Sequence, residues 1–216
     1  MRIWNENTYV EFIYNPITSL TIGTMMKSIF LMALALLLTS CTLQRHYVDL
    51  EYKPCMMPQG IVGAENIEVC VNVYDFLGQE NVVCKLSGFD RELVHIVTNQ
   101  NVAEILQNAI TWELQQRGFT IAYGGKNIEI EICKFRNNFK AEAFSISADS
   151  ETILNVTMNK NDGMILYAKT VIGCGEEASC FRLSGKNTSM ALERSLYDAV
   201  QKLVNDPEFI WMLSSN

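Results

Sequence analysis

The sequence predicts a two-layer α/β sandwich of the α+β kind. A mixed, mostly antiparallel sheet carries two amphipathic helices on one face, in the order β-α-β-β-β-β-α. Three observations carry this. Ile67, Val69, Val71 and Val73 alternate with Glu68, Cys70, Asn72 and Tyr74, the two-residue period of a half-buried strand. Val102, Ile105, Leu106, Ala109, Ile110 and Leu114 form an apolar stripe at helical spacing, and Leu192, Leu196, Ala199, Val200 and Leu203 form a second. Between the two helices lies a meander of about four one-sided strands, whose apolar faces the helical stripes are suited to cover.

Taken in order, residues 42–65 read as a tether, because Pro54, Pro58, Gly60 and Gly63 punctuate them and no apolar period is sustained. The strand from Asn66 leaves through a loop at Asp75-Phe76-Leu77-Gly78. Residues 82–86 make a second, weaker apolar stretch, and residues 87–97 carry no readable pattern. Asn99 or Asn101 opens the first helix, and Gly118 is suited to close it. A short strand over 119–123 turns at Gly124-Gly125. Ile128, Ile130 and Ile132 then alternate with Glu129, Glu131 and Cys133, and residues 139–148 alternate less cleanly. Thr152, Leu154, Val156 and Met158 form another strand, and Asp162-Gly163 is a hairpin signal before a strand over 164–172. The second helix runs from about Ser189 to Asn205. Asp206 caps a short terminal helix whose first residue is Pro207, docked by Phe209, Ile210, Trp211 and Leu213. This arrangement puts Glu68, Cys70, Glu129, Glu131 and Cys133 on the uncovered face of the sheet.

The N-terminal part has a different character. Lys27 is followed by an apolar run over 29–38 and then by Thr39-Ser40-Cys41. A run of about a dozen residues is short for a bilayer span, which takes about 20. Leu38, Thr39, Ser40 and Cys41 match a lipobox, in which cleavage precedes the cysteine and its sulfur carries diacylglycerol. On this reading residues 26–40 are a lipoprotein signal peptide, 41–65 a lipid-anchored tether and 66–216 a periplasmic α/β domain. Thr42 follows the cysteine in place of the Asp that would retain the protein at the inner membrane, so the expected location is the outer membrane, facing the periplasm. Residues 1–25 hold Glu6, Glu11 and Pro16 where a signal would be short and basic, and they read as an upstream start-site artefact, with Met25 or Met26 as initiator. The alternative is a true N-terminal extension, with residues 29–38 in an anchor helix.

Beyond residue 40 the chain still carries the whole net charge of −7, because Arg2 and Lys27 balance Glu6 and Glu11. Such a domain has no electrostatic footprint for nucleic acid. Attachment to a membrane is expected from the lipid on Cys41 and not from a basic patch. No other cofactor and no metal is expected. No C-x-x-C occurs, and His46 and His95 are remote from cysteine pairs.

With Cys41 lipidated, six cysteines remain, at 55, 70, 84, 133, 174 and 180. An even number in an oxidising compartment permits disulfides. Cys174 with Cys180 is the first expectation, as a link between two hairpin arms. Cys70 with Cys133 is the second, if their strands are neighbours. Buried free thiols are the plain alternative.

Chemistry is otherwise sparse. Ser184-Gly185 lacks the flanking glycine of a nucleophile elbow, and His95 has no triad partners in the pattern. Glu129 and Glu131 share a strand face about 7 Å apart. Paired carboxylates can hydrolyse glycosides, but alternating glutamates more often mark a solvated face. No catalytic residues are assigned.

Taken together, Leu38-Thr39-Ser40-Cys41, the strand ending at Asp75, the helix from Leu106 to Gly118 with Phe119-Thr120-Ile121, the strand Ile128 to Ile132, and the closing helix with Asp206 and Phe209 resemble the YajG-type family of bacterial lipoproteins. The likeness spans the chain from the signal onward, more loosely over 76–98. It departs after Asp75, where Phe76-Leu77 stands in place of an Arg. The resemblance implies a periplasmic domain tethered to the outer membrane, without an assigned reaction. The expected function is therefore a non-enzymatic binding or accessory lipoprotein with an envelope protein partner, in envelope assembly, transport or maintenance. The alternative is an enzyme acting on cell-wall glycan or thiols through Glu129 and Glu131 or through Cys174 and Cys180.

Overall fold

Among the described residues one mixed sheet of eight strands organises the protein, and the helices lie on one side of it. The computed structural model describes residues 44–54, 58–75, 82–88, 91–141, 146–160, 163–180 and 185–215. In chain order the elements are β1 (Gln44–Tyr47), a 3₁₀ turn (Ala64–Asn66), β2 (Glu68–Asp75), β3 (Val82–Gly88), β4 (Arg91–Val97), α1 (Val102–Gln116), β5 (Thr120–Ile121), β6 (Lys126–Ala141), β7 (Ile146–Asn159), β8 (Ile165–Cys180), α2 (Gly185–Val204) and α3 (Pro207–Ser214). The predicted two-layer α/β fold is the observed one. To it the structure adds β1, β3 and β4, in stretches where the sequence shows no clean period.

The long strand β6 is the hub. On one side it pairs antiparallel with β7, which pairs antiparallel with β8. On the other side its first half pairs parallel with β2, and its second half meets β3 at Cys84↔Asn137. β3 pairs antiparallel with β4, and β4 parallel with β1. The sequence shows β6 in pieces for a physical reason. A bulge between Ile132 and Lys134 shifts the alternation by one residue, so the buried series Ile128, Ile130, Ile132 continues as Phe135 and Asn137. The buried positions of the far half are also partly polar: Ser150 Oγ donates to Asn137 Oδ1 at 2.7 Å, and the hydroxyls of Thr152 and Ser195 are bonded at 2.8 Å. Paired in this way, they do not carry the cost of an unsatisfied buried group.

α1 and α3 begin where the sequence indicates, while α2 begins at Gly185, four residues before the expected Ser189. Asn101 caps α1 by accepting from the N–H groups of Ala103 and Glu104, and Asp206 caps α3 by accepting from Glu208 N at 2.9 Å. At the far end of α1 the chain leaves through Gly118 at φ 103°, a conformation that favours glycine. α2 lies unusually close to β8. A Cβ on Gly173 would stand 2.1 Å from Ser195 O, and one on Gly175 would stand 2.0 Å from Ala191 O. Small residues Ala191, Ser195 and Ala199 on α2 complete this contact, so the helix backbone rests nearly on the strand.

Residues 44–54 are not a free tether. Val48 and Leu50 are buried in the core, Val48 N donates to Val97 O at 2.9 Å, and Gln100 brackets Leu50 through both its N–H and its C=O. Proline and glycine signals hid this, because the packing rests on a few single residues and on no repeating period. The stretch is a strap across the domain, which leaves Cys41 three positions from the first residue of β1.

Candidate functional site

Since α1, α2 and α3 all pack on one face, the other face of β2, β6, β7 and β8 has no helix over it among the described residues. Two complete cross-strand rows line it. Asn72, Glu129, Thr157 and Ala168 form one, and Tyr74, Glu131, Asn155 and Thr170 form the next. All of them but Asn72 border a shallow hollow of about 420 Å³. Cross-strand partners share a face, so the register itself gathers these amides, hydroxyls and carboxylates. A hydrogen-bonded chain orders them. Asn72 Nδ2 donates to Asn127 Oδ1 at 2.8 Å, Asn127 Nδ2 to Glu129 Oε1 at 2.9 Å, and Asn159 Nδ2 to Glu129 Oε2 at 3.2 Å. Thr170 Oγ1 donates to Asn155 Oδ1 at 2.8 Å in the neighbouring row. At the bulge end Lys134 pairs with Glu151.

The structure thus brings Glu129 and Glu131 into one concave site, as their strand predicts. Its amides and hydroxyls, at Asn72, Asn155, Thr157 and Thr170, did not stand out in the sequence. The only signal for them is that the polar half of each alternation is rich in Asn and Thr. Glu129 is a double acceptor, with an amide donor on each oxygen. No group of three or more His, Cys, Asp or Glu side chains suited to a metal occurs among the described residues.

A second feature borders this face. β8 is the outer strand, and its outward backbone groups lack a further strand. A stripe on α2, spaced four residues apart, reaches around to cap part of them. Asp198 accepts from Cys174 N at 2.8 Å, Lys202 Nζ donates to Ile172 O at 2.9 Å, and Arg194 donates to Glu176 O. Lys202 and Asp198 are themselves paired at 2.7 Å. Capping of this kind blunts an edge that would otherwise recruit strands. It stops at Ile172. Ala168 and Thr170, whose backbone groups face outward in the same alternation, have no such partner among the described residues, and Ala168, Lys169 and Thr170 are all exposed.

Elsewhere polar groups serve the fold. Glu113 on α1 is fully buried and accepts from Tyr52 Oη at 2.5 Å and Gln201 Nε2 at 2.7 Å, with Arg117 at 3.9 Å. Burial, then the bond to Glu113, pushes the Tyr52 phenol well above its ordinary range. This cluster ties the strap to both long helices. Asp206 joins α3 to β8 by accepting from Lys169 Nζ at 2.6 Å and Tyr167 Oη at 3.0 Å. Burial raises its carboxyl, but those bonds and the Glu208 N–H outweigh it and hold the carboxyl below its ordinary value.

Neither expected disulfide is present: Cys70, Cys133 and Cys174 are free thiols. Cys174 and Cys180 lie six positions apart on the single strand β8, not on two arms of a hairpin. The strand rise separates them by about 20 Å, while a disulfide needs Cα atoms within about 7 Å. β2 and β6 are neighbours as supposed, yet the register pairs Cys70 with Asn127, and Cys133 lies beyond the Asp75↔Ile132 pair. The two thiols are on adjacent strands and far apart along them. Leu38, Thr39, Ser40, Cys41 and Cys55 lie outside the described residues. No helix among the described residues is long and apolar enough to cross a membrane.

A protein from Xanthomonas campestris has a similar crystal structure at 13% sequence identity and a TM-score of 0.51, covering 80% of this chain and 95% of that one. That similarity concerns the fold alone. A minor lipoprotein from Acinetobacter baumannii is more distant, at 5% identity and a TM-score of 0.43 over 65% of this chain and 90% of that one. No curated protein matches the sequence. Residues 61–214, from just before β2 to the end of α3, match the model of a family described as uncharacterised lipoproteins, and the chain belongs to that family.

Proposed function

We propose that this is a lipid-anchored, non-enzymatic binding lipoprotein of the outer membrane, held by diacylglycerol on Cys41 and facing the periplasm, with the open face of β2, β6, β7 and β8 as its docking surface for an envelope protein. Its role lies in envelope assembly, transport or maintenance, and its nearer kinship within the lipoprotein family is to the YajG-type members. One observation carries the reading: among the described residues the helices cover a single face of the sheet, and the other face holds two complete, mostly polar cross-strand rows. Membership of a lipoprotein family and the Leu38-Thr39-Ser40-Cys41 motif support the anchor.

Glu129 and Glu131 border the same hollow, which keeps glycan hydrolysis as a second reading. Catalysis there needs one carboxyl to donate a proton and the other to attack or to activate water. Glu129 instead has an amide donor on each oxygen. Binding is the better use of that geometry.

Two measurements test the proposal. Intact-mass analysis with palmitate labelling is expected to show cleavage before Cys41 and acylation of its sulfur. Affinity purification from solubilised envelopes is expected to recover a partner with the parent chain and to lose it with Thr157→Arg or Asn155→Lys. Recovery at equal yield with both variants would remove the open face from the account.

A further inference from the structure

We infer that the partner of this docking face includes an extended polypeptide segment that adds as a strand to the outer edge of β8 at Ala168 and Thr170. The inference deepens the docking reading above and rests on it. It starts from the uneven protection of one edge. Over Ile172–Glu176, Lys202, Asp198 and Arg194 occupy Ile172 O, Cys174 N and Glu176 O, so a strand pairing there would have to displace these three side chains. Four residues earlier no side chain among the described residues plugs the same strand, its one register shift there falls between Ile165 and Tyr167, and Ala168 and Thr170 beyond it present outward N–H and C=O groups. Unmade backbone bonds of this kind are the standard docking chemistry for an extended peptide, in which main-chain bonds supply affinity and alternate side chains supply specificity.

The surroundings fit that occupant. Ala168 and Thr170 are also the β8 members of the two polar rows, so an added strand would extend those rows and wall the hollow on its open side. Ile165 and Ile172, which flank the open stretch, are 63% and 45% exposed. They offer apolar contacts at either end of a short segment.

A second copy of the chain fits poorly. An edge strand meets its own copy antiparallel, about a two-fold axis. The strand directions place the start of β1 at the same end of the sheet as the end of β8. With Cys41 three positions before β1, two copies paired in this way would point their anchors in opposite directions. A short segment of another protein is free of that constraint.

The test uses the mature chain from Cys41 and a synthetic peptide with the sequence of residues 152–159, the part of β7 that already pairs with β8. Amide hydrogen exchange is read at Ala168, Thr170 and Cys174. In the free chain Ala168 and Thr170 are expected to exchange fast and Cys174 slowly. Peptide at about nine times its Kd is expected to slow Ala168 and Thr170 about tenfold and to leave Cys174 unchanged. Ala168→Pro and Thr170→Pro each remove a donor that has no partner among the described residues, so both are expected to fold, as judged by thermal unfolding, and to lose peptide protection at the remaining site. Protection of Ala168 and Thr170 in the free chain, no slowing with millimolar peptide, or equal slowing in both proline variants would overturn the inference. Protection that rises with chain concentration alone would overturn it in favour of a second copy. If instead Cys41 is not acylated, the mass spectrum reports that separately and the exchange result is unaffected.

Discussion

The amide of Cys174 donates to the carboxylate of Asp198 at 2.8 Å, so a helix side chain stands where the next strand of the sheet would pair. With Lys202 on Ile172 O, it makes α2 both the cover of one sheet face and the stopper of one sheet edge. The double duty follows from how close the helix lies. Gly173 and Gly175 let the α2 backbone approach β8 until side chains one turn apart can reach around the strand.

Loss of the stopper is expected to lengthen the open edge. Asp198→Ala should speed exchange at Cys174 by at least about tenfold while costing only about 0.5–1.5 kcal/mol in urea unfolding, since the bonds are partly exposed. Unchanged exchange at Cys174 would mean that Asp198 caps nothing in solution.

The close approach makes its own prediction. Gly175→Ala places a methyl group 2.0 Å from the Ala191 carbonyl, and only a shift of the helix or strand relieves it. The expected loss is about 3 kcal/mol in urea unfolding, at the upper end of the usual cost of overpacking. Gly60→Ala, where nothing lies within 4 Å, is the control and should change stability by less than about 0.5 kcal/mol.

Beneath the strap, Tyr52 and Gln201 share one oxygen of the buried Glu113. Tyr52→Phe is expected to cost about 1–2 kcal/mol, because it removes one partner of a buried carboxylate. Glu113→Ala is expected to cost more, about 3–5 kcal/mol, by leaving Arg117 buried without its counter-charge. In both variants limited proteolysis should cut residues 44–54 sooner than in the parent. Equal stability of the two variants would contradict the placement of Glu113 at the centre of the cluster.

Acid should loosen the C-terminal helix first. The folded Asp206 carboxyl lies below its ordinary value of 3.8, so its contribution is fully present above that pH. It is lost as the pH falls through the lower, folded value. Asp206→Asn should therefore lower stability at pH 7 and flatten the decline as the pH falls below 3.8. A decline of the same steepness in the variant would show that other carboxylates govern the acid limb.

Much of this fold is legible in the residues because the helices follow their apolar stripes and caps, from Asn101 to Gly118 and from Asp206 onward. The second half of β6 is not, since one bulged residue at Cys133 inverts the alternation and Asn137 then sits where an apolar residue is expected. The strap is hidden for a different reason: Val48, Leu50 and Tyr52 are anchored by single partners far away in sequence. The Cys70–Cys133 expectation failed on register, which neighbouring strands alone do not determine, and Cys174–Cys180 failed because the expected hairpin is one long strand. The candidate site was half visible. Glu129 and Glu131 stand out by charge, while Asn155, Thr157 and Thr170 acquire meaning only when three strands align them.

The most direct test of the account is a photo-crosslinking scan of the lipidated chain in intact envelopes. A crosslinking residue is placed in turn at Asn72, Asn155 and Thr157 on the open face, and at Glu104 and Gln115 on the exposed side of α1. Adducts to one protein at the three sheet positions, with none at the two helix positions, are the predicted result. Adducts confined to α1 would contradict it, and would move the docking surface from the open sheet to the helical layer.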